Sequence, residues 1–182
     1  MYLFISVETN GVGSFLSQDL VRVALVITDA MFETLSLESF YVQGCNVLSP
    51  AVQSVGHTLE QIENGLHARD AKSLIEARVA KVRTCMSEPG VIVAHNSEYV
   101  TNILRKLDVH LVDVVCTMKL STPICCLPPA NPSLVSRNGQ YKYPQLGELN
   151  QFFYGTRDVG SRAEEKAWAV KQCYQAMMQM GE

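Results

Sequence analysis

Two runs of β-branched and aliphatic residues, 2–8 (YLFISVE) and 20–28 (LVRVALVIT), constrain the fold more than any other feature of the chain. Neither approaches the roughly 20 apolar residues of a membrane span, and both read as strands. Between them lies NGVGS, a turn signal whose Asn10-Gly11 pair suits a positive φ. Residues 32–42 (FETLSLESFYV) then alternate in the manner of a half-buried strand. The opening therefore predicts an antiparallel three-strand meander.

The pattern changes after residue 42. A loop containing Ser49-Pro50 and Gly56 leads to two stretches at helical period, 58–65 and 70–86, stopped by Glu88-Pro89-Gly90. Residues 91–94 (VIVA) read as a short apolar strand bounded by His95-Asn96. Over 97–107, Tyr99, Ile103, Leu104 and Leu107 share one helical face, and 112–115 (VDVV) reads as a further short strand. The stretch 121–143, with Pro128-Pro129, Pro132 and Asn138-Gly139, reads as an ordered loop over the sheet. One helix follows Pro144 and stops at Gly155. Another spans about 160–179, with Ala163, Ala167, Val170, Cys173 and Met177 as its apolar stripe. Strands first, then alternating helices and strands, give an α/β chain: a mixed five-stranded sheet, its first three strands antiparallel, with helices on both faces. At 182 residues and 47% hydrophobic content, a single domain over 1–182 suffices.

A formal charge of −3 gives no global attraction to phosphate backbones. The start MYLFISVETNG lacks the basic region and long apolar region of a signal peptide, so a soluble cytoplasmic or intracellular location is expected, with no membrane partner. Six cysteines contain no C-x-x-C pair and read as reduced, mostly buried thiols.

Several strings, taken in order, resemble the DEDDh 3′–5′ exonucleases, the ribonuclease H-like family of the proofreading subunit of bacterial replicative polymerases. Ser6-Val7-Glu8-Thr9 resembles the end of the family's first strand, where Asp-x-Glu-Thr stands. Ser49-Pro50 through Gly56-His57-Thr58 looks like the family's loop leading to a helix, and Val93-Ala94-His95-Asn96-Ser97-Glu98-Tyr99-Val100 resembles its second motif. The segments 113–120 and 141–149 resemble those between motifs two and three, and 161–167 falls on the last motif, His-x-Ala-x-x-Asp-Ala. Each string is weak alone; their collinearity over the whole chain carries the resemblance.

The resemblance implies phosphodiester hydrolysis by two divalent ions held by four carboxylates, with a histidine as general base. Of those five positions this chain keeps one, Glu8. The others hold Ser6, Val100, Ser161 and Lys166. Serine is a weak neutral ligand, valine coordinates nothing, Ser161 takes up no proton near neutral pH, and an ammonium at position 166 repels a metal ion. Two unit charges about 4 Å apart at an effective dielectric near 20 interact by about 4 kcal/mol. Lys166 is instead expected to pair with Glu8. Substitute ligands are poor: Glu98 points to another helix face than Val100, and Glu165 lies about 100° from position 166. Asn102, Asp108 and Glu164 complete the carboxylates and amides near the emptied positions.

The expectation is a catalytically degenerate exonuclease-fold protein that binds no cofactor, with Mg²⁺ or Mn²⁺ relevant only to residual nuclease activity. It would act as a structural or interaction module with protein partners in a larger viral or replication-related assembly, virion association included. The alternative is a dead or residual nuclease that holds single-stranded 3′ ends in the old groove, through Thr9, Asn10, His95, Asn96, Tyr99 and Arg162. The blander readings are that Asn96 caps the following helix, that His57 and His67 are surface residues, and that Arg105, Lys106 and Arg162 lie on solvated helix faces. Met177, Met178 and Met180 read as a core stripe with a frayed end.

Overall fold

The structure, a computed structural model, describes residues 1–14, 17–85, 90–129 and 141–180. Five strands, β1 (Tyr2–Thr9), β2 (Leu20–Thr28), β3 (Thr34–Tyr41), β4 (Val91–Ala94) and β5 (Val114–Cys116), form one sheet in the order β3-β2-β1-β4-β5. β1 pairs antiparallel with β2, and β2 with β3, which is the expected meander. β1 and β4 run parallel, as do β4 and β5, so the sheet is mixed.

The alternation of β1 explains where the helices sit. Leu3, Ile5 and Val7 point to one face, where they pack with Leu25 and Ile27 of β2 against α3 (Ala68–Arg83) and α4 (Ser97–Arg105). Phe4 points to the other face and packs with Ala24 and Val26 against α7 (Ala163–Gln179). α7 presents the expected stripe: Ala163, Ala167, Val170, Cys173 and Met177 are all buried. Two alanines in its first turns let the helix approach the sheet closely. Phe4, fully buried and edge-on to Tyr174 at 5.9 Å, fills the space behind them. Truncating such a phenylalanine costs about 3–5 kcal/mol. Met178 and Met180 are exposed, as a frayed end requires.

Several boundaries differ from the sequence reading. The stretch around Ser49-Pro50 is not all loop: Ser49 caps a short α1 (Pro50–Ser54), and Pro50 sits in its first turn, where no amide donor is needed. α2 (Leu59–Glu63) carries a capping box between Thr58 and Gln61. The strand expected at 112–115 is shifted to 114–116. The largest correction is α5 (Thr117–Cys125), which takes up the start of the segment read as loop. Pro123 lies inside it, and the helix closes soon after at Cys126 in a left-handed conformation, so the missing donor disturbs little. α3 ends at Arg83; Glu88-Pro89, Pro132 and Asn138-Gly139 fall outside the described residues. α6 (Leu146–Tyr154) ends on Gly155 at φ +74° as expected. Of the six cysteines, Cys45, Cys116, Cys125 and Cys173 are buried, and none of the six forms a disulfide. No helix among the described residues is long and apolar enough to cross a membrane.

Candidate ligand cavity at the end of the first strand

β1 and β4 run parallel and end side by side, and a cavity of about 700 Å³ opens at their C-terminal ends. Ser6, Glu8, Val100, Ser161 and Lys166 all line it. The five positions singled out from the sequence, spread from β1 to the start of α7, therefore meet in one place. Thr9, His95, Asn96 and Tyr99 line it too. Asn10 and Arg162 do not.

Even-numbered residues of β1 face α7, so Ser6 and Glu8 look towards the beginning of that helix. That beginning is fixed by Glu165, whose Oε2 accepts the amides of Ser161 at 2.8 Å and Arg162 at 2.9 Å. The amides of Arg162 and Ser161 together hold the Glu165 carboxyl below its usual range. Gly160, at φ +72°, makes room: a Cβ there would lie 2.4 Å from Glu165. The capped helix then delivers Lys166 to Glu8, Nζ to Oε1 at 3.3 Å. Glu8 is 6% and Lys166 35% exposed at the side chain, so the carboxylate is buried and the ammonium reaches solvent.

The other oxygen of Glu8 meets a residue that sequence reasoning placed on the surface. His57 is buried, and its Nε2 lies 3.3 Å from Glu8 Oε2. Its Nδ1 is 3.0 Å from the hydroxyl of Tyr41, which also donates to Gln61 Oε1 at 3.0 Å. Arg22 stacks over the Tyr41 ring at 4.9 Å and pairs with Glu164 at 3.0 Å. Among the described residues Glu8 Oε2 accepts no hydrogen bond, His57 included, so the two groups meet without one. No local signal locates His57: Gly56, at φ +91°, and the Thr58 capping box fix the chain direction on either side of it but not the partners it meets. His67 is exposed, as expected.

The opposite wall is polar and internally bonded. Thr9 Oγ1 donates to Gln18 Oε1 at 2.7 Å and lies 2.9 Å from the Tyr99 hydroxyl, which is 3.1 Å from the same Gln18 oxygen. His95 Nδ1 is 3.0 Å from Thr117 Oγ1. Burial pushes the His95 imidazole down to about 4, against a smaller opposing effect from the ring's hydrogen bond to the Pro144 carbonyl. Asn96 stands at the N-terminus of α4 in a left-handed conformation (φ 54°), but its side chain makes no capping bond. Asn10 is engaged in its own loop: Oδ1 accepts the amides of Val12 and Asp19, and Nδ2 donates to Asp19.

The donor set does not fit a pair of divalent ions. Glu8 is the single carboxylate among the residues lining the cavity, and each of its oxygens faces a nitrogen. The acids that could have substituted are engaged elsewhere: Asp108 with Lys72, Glu164 with Arg22, and Glu165 in the α7 cap, while Glu98 is exposed. Hard ions of this kind need several anionic oxygens converging on one point.

No protein-family model and no curated protein sequence matches the chain. Solved structures do. E. coli exonuclease I in complex with a dA16 oligonucleotide superposes with a TM-score of 0.71 at 14% identity, covering 98% of this chain and 40% of that one. Exonuclease I in its apo form gives 0.69 at 15% identity, covering 98% and 42%. The SSB/exonuclease I complex with the inhibitor CFAM gives 0.70 at 15% identity, covering 98% and 41%. The chain thus spans about 40% of the length of the exonuclease I chains it matches. Sheet order, helix placement and this likeness agree, and the chain has the α/β fold seen in exonuclease I.

Proposed function

We propose that the chain is a non-catalytic exonuclease-fold protein that works as an interaction module in a larger assembly. The observation that carries this reading is the Lys166–Glu8–His57 arrangement, in which the one carboxylate of the cavity is bracketed by nitrogen at 3.3 Å on both oxygens. A metal ion entering there would meet an ammonium where a second anionic ligand is needed, and the repulsion amounts to about 4 kcal/mol at 4 Å for each unit of the ion's charge near the protein surface. No group at positions 6, 100 or 161 supplies the lost charge or the proton acceptor. The test is incubation of an end-labelled oligonucleotide with Mg²⁺ or Mn²⁺. Intact substrate is the expected result; 3′ shortening that disappears in Glu8→Gln would falsify the reading.

A second reading rests on the cavity itself. About 700 Å³ remains open, with Tyr99, His95, Asn96 and Lys166 on its walls, enough for one nucleotide of a single strand. Exonuclease I, which shares the fold, is seen with dA16. Anisotropy of labelled single-stranded DNA and RNA, measured in chelator at several salt concentrations, tests it. Binding that weakens steadily with salt and is reduced by Lys166→Met supports it, whereas flat titrations at low salt rule it out.

A further inference from the structure

β3 is the outermost strand of the sheet, and beyond it the described residues add a single pairing, the parallel bridge between Val42 and Leu66. The register with β2 shifts at Leu35 and is regular from Ser36 to Tyr41, so the outer edge is straight over that later stretch. Strand edges are commonly kept apart by lysine, proline or bulges. This one has neither residue, and its one charge, Glu38, is held by Arg78 at 2.7 Å.

Alternation sends Leu37 and Ser39 to the α7 side, where Ser39 Oγ donates to Glu164 at 3.1 Å and Leu37 meets Trp168 across a groove of about 470 Å³. Leu37 is 47% and Trp168 37% exposed beside the strand edge, and Lys171 Nζ covers one face of the Trp168 ring at 4.5 Å. The charged groups lining the groove are all acidic: Asp158, Glu164 and Glu165. Arg22 neutralises Glu164. Asp158 and Glu165 each use one oxygen for backbone amides, Oδ1 for Gly160 and Oε2 for Ser161 and Arg162. Their second oxygens accept no hydrogen bond among the described residues.

From this edge, groove and charge we infer that β3 takes up an extended basic segment of another protein as an added strand. The incoming backbone continues the sheet, its apolar side chains lie on Leu37 and Trp168, and its Lys or Arg side chains reach Asp158 and Glu165. A second copy is a poorer occupant, because the chain carries a net charge of −3 and its own β3 contains no basic residue. The inference rests on the interaction-module reading but uses neither the cavity nor Glu8, so the two fail separately: nuclease activity would leave it standing.

Trp168 is the one tryptophan of the chain, so its emission reports on this groove alone. The probe is the peptide Lys-Val-Lys-Val-Lys-Val-Lys, with Glu-Val-Glu-Val-Glu-Val-Glu as control. The basic peptide is expected to shift Trp168 emission to the blue in a saturable way, with affinity about tenfold lower in Leu37→Lys and lower again with Asp158→Asn added. Leu37 is exposed, and circular dichroism checks that the variant folds. An unmoved emission, equal affinity for the acidic peptide, or unchanged binding to Leu37→Lys each overturns the inference. So does a blue shift that grows with protein concentration in the absence of peptide, which would assign the edge to a second copy.

Discussion

Glu8 Oε1 stands 3.3 Å from Lys166 Nζ, joining the end of β1 to the first turns of α7 across 158 positions of sequence. The two halves of the pair are unequally buried, 6% against 35% exposed. Losing one partner is therefore not equivalent to losing the other.

Lys166→Met is expected to cost more than Glu8→Gln. The first leaves a buried carboxylate facing only His57, with Oε2 already lacking a hydrogen bond. The second leaves an ammonium that can turn into water. Breaking a fully buried pair costs about 3–5 kcal/mol; discounted for the exposed lysine, about 2–3 kcal/mol is expected for Lys166→Met and about 1 kcal/mol for Glu8→Gln. Urea unfolding of both and of the double variant checks this. Equal losses that simply add would show that the two side chains do not interact.

His57 is expected to be as important for stability as a core residue. His57→Ala removes the contact to Glu8 Oε2 and one of the two partners of the Tyr41 hydroxyl, and leaves a void beside Glu8 and Tyr41. A loss of about 2–4 kcal/mol is expected in chemical denaturation. An effect no larger than that of the exposed His67→Ala would place His57 back on the surface.

Divalent metal should not stabilise the natural chain, and one substitution should change that. Lys166→Asp sets a second carboxylate beside Glu8, so without metal the variant suffers like-charge repulsion, and millimolar Mn²⁺ relieves it. Thermal unfolding is expected to show no Mn²⁺ response in the natural chain and a rise in Tm in the variant, following the mass-action rule for a ligand that binds the folded state. A rise in the natural chain would mean that Glu8 coordinates metal despite Lys166.

The fold was legible because its core elements carry their own periodicity. β1 and β2 are continuous apolar runs, and the buried stripe from Ala163 to Met177 repeats every three to four residues. α5 was not legible, since Pro123 and the prolines after it mimic a loop, and only the packing of Thr117, Ser121 and Cys125 against the rest keeps the segment helical. The Glu8–Lys166 pair could be anticipated, because both positions fall on motifs whose counterparts converge. His57 could not: its burial depends on Tyr41 and Glu8, brought from two different strands, and no local pattern around a histidine encodes such long-range neighbours.

His95 gives the fold a pH dependence whose sign follows from its environment. Burial lowers its folded value from 6.5 to about 4, so between those limits the unfolded chain binds a proton that the folded one excludes. The contribution is fully present above about pH 6.5 and is lost progressively as the pH falls through about 4, reaching at most about 3 kcal/mol. Carboxylates titrate near the lower limit as well, so the informative quantity is a difference. His95→Asn keeps a polar group near Thr117 and the Pro144 carbonyl but cannot take up the proton. Its stability is expected to fall less steeply than that of the natural chain between pH 6.5 and 4.5, as measured by urea unfolding. Parallel curves would mean that His95 titrates alike in both states, and that the wall it forms with Thr117 is open to water.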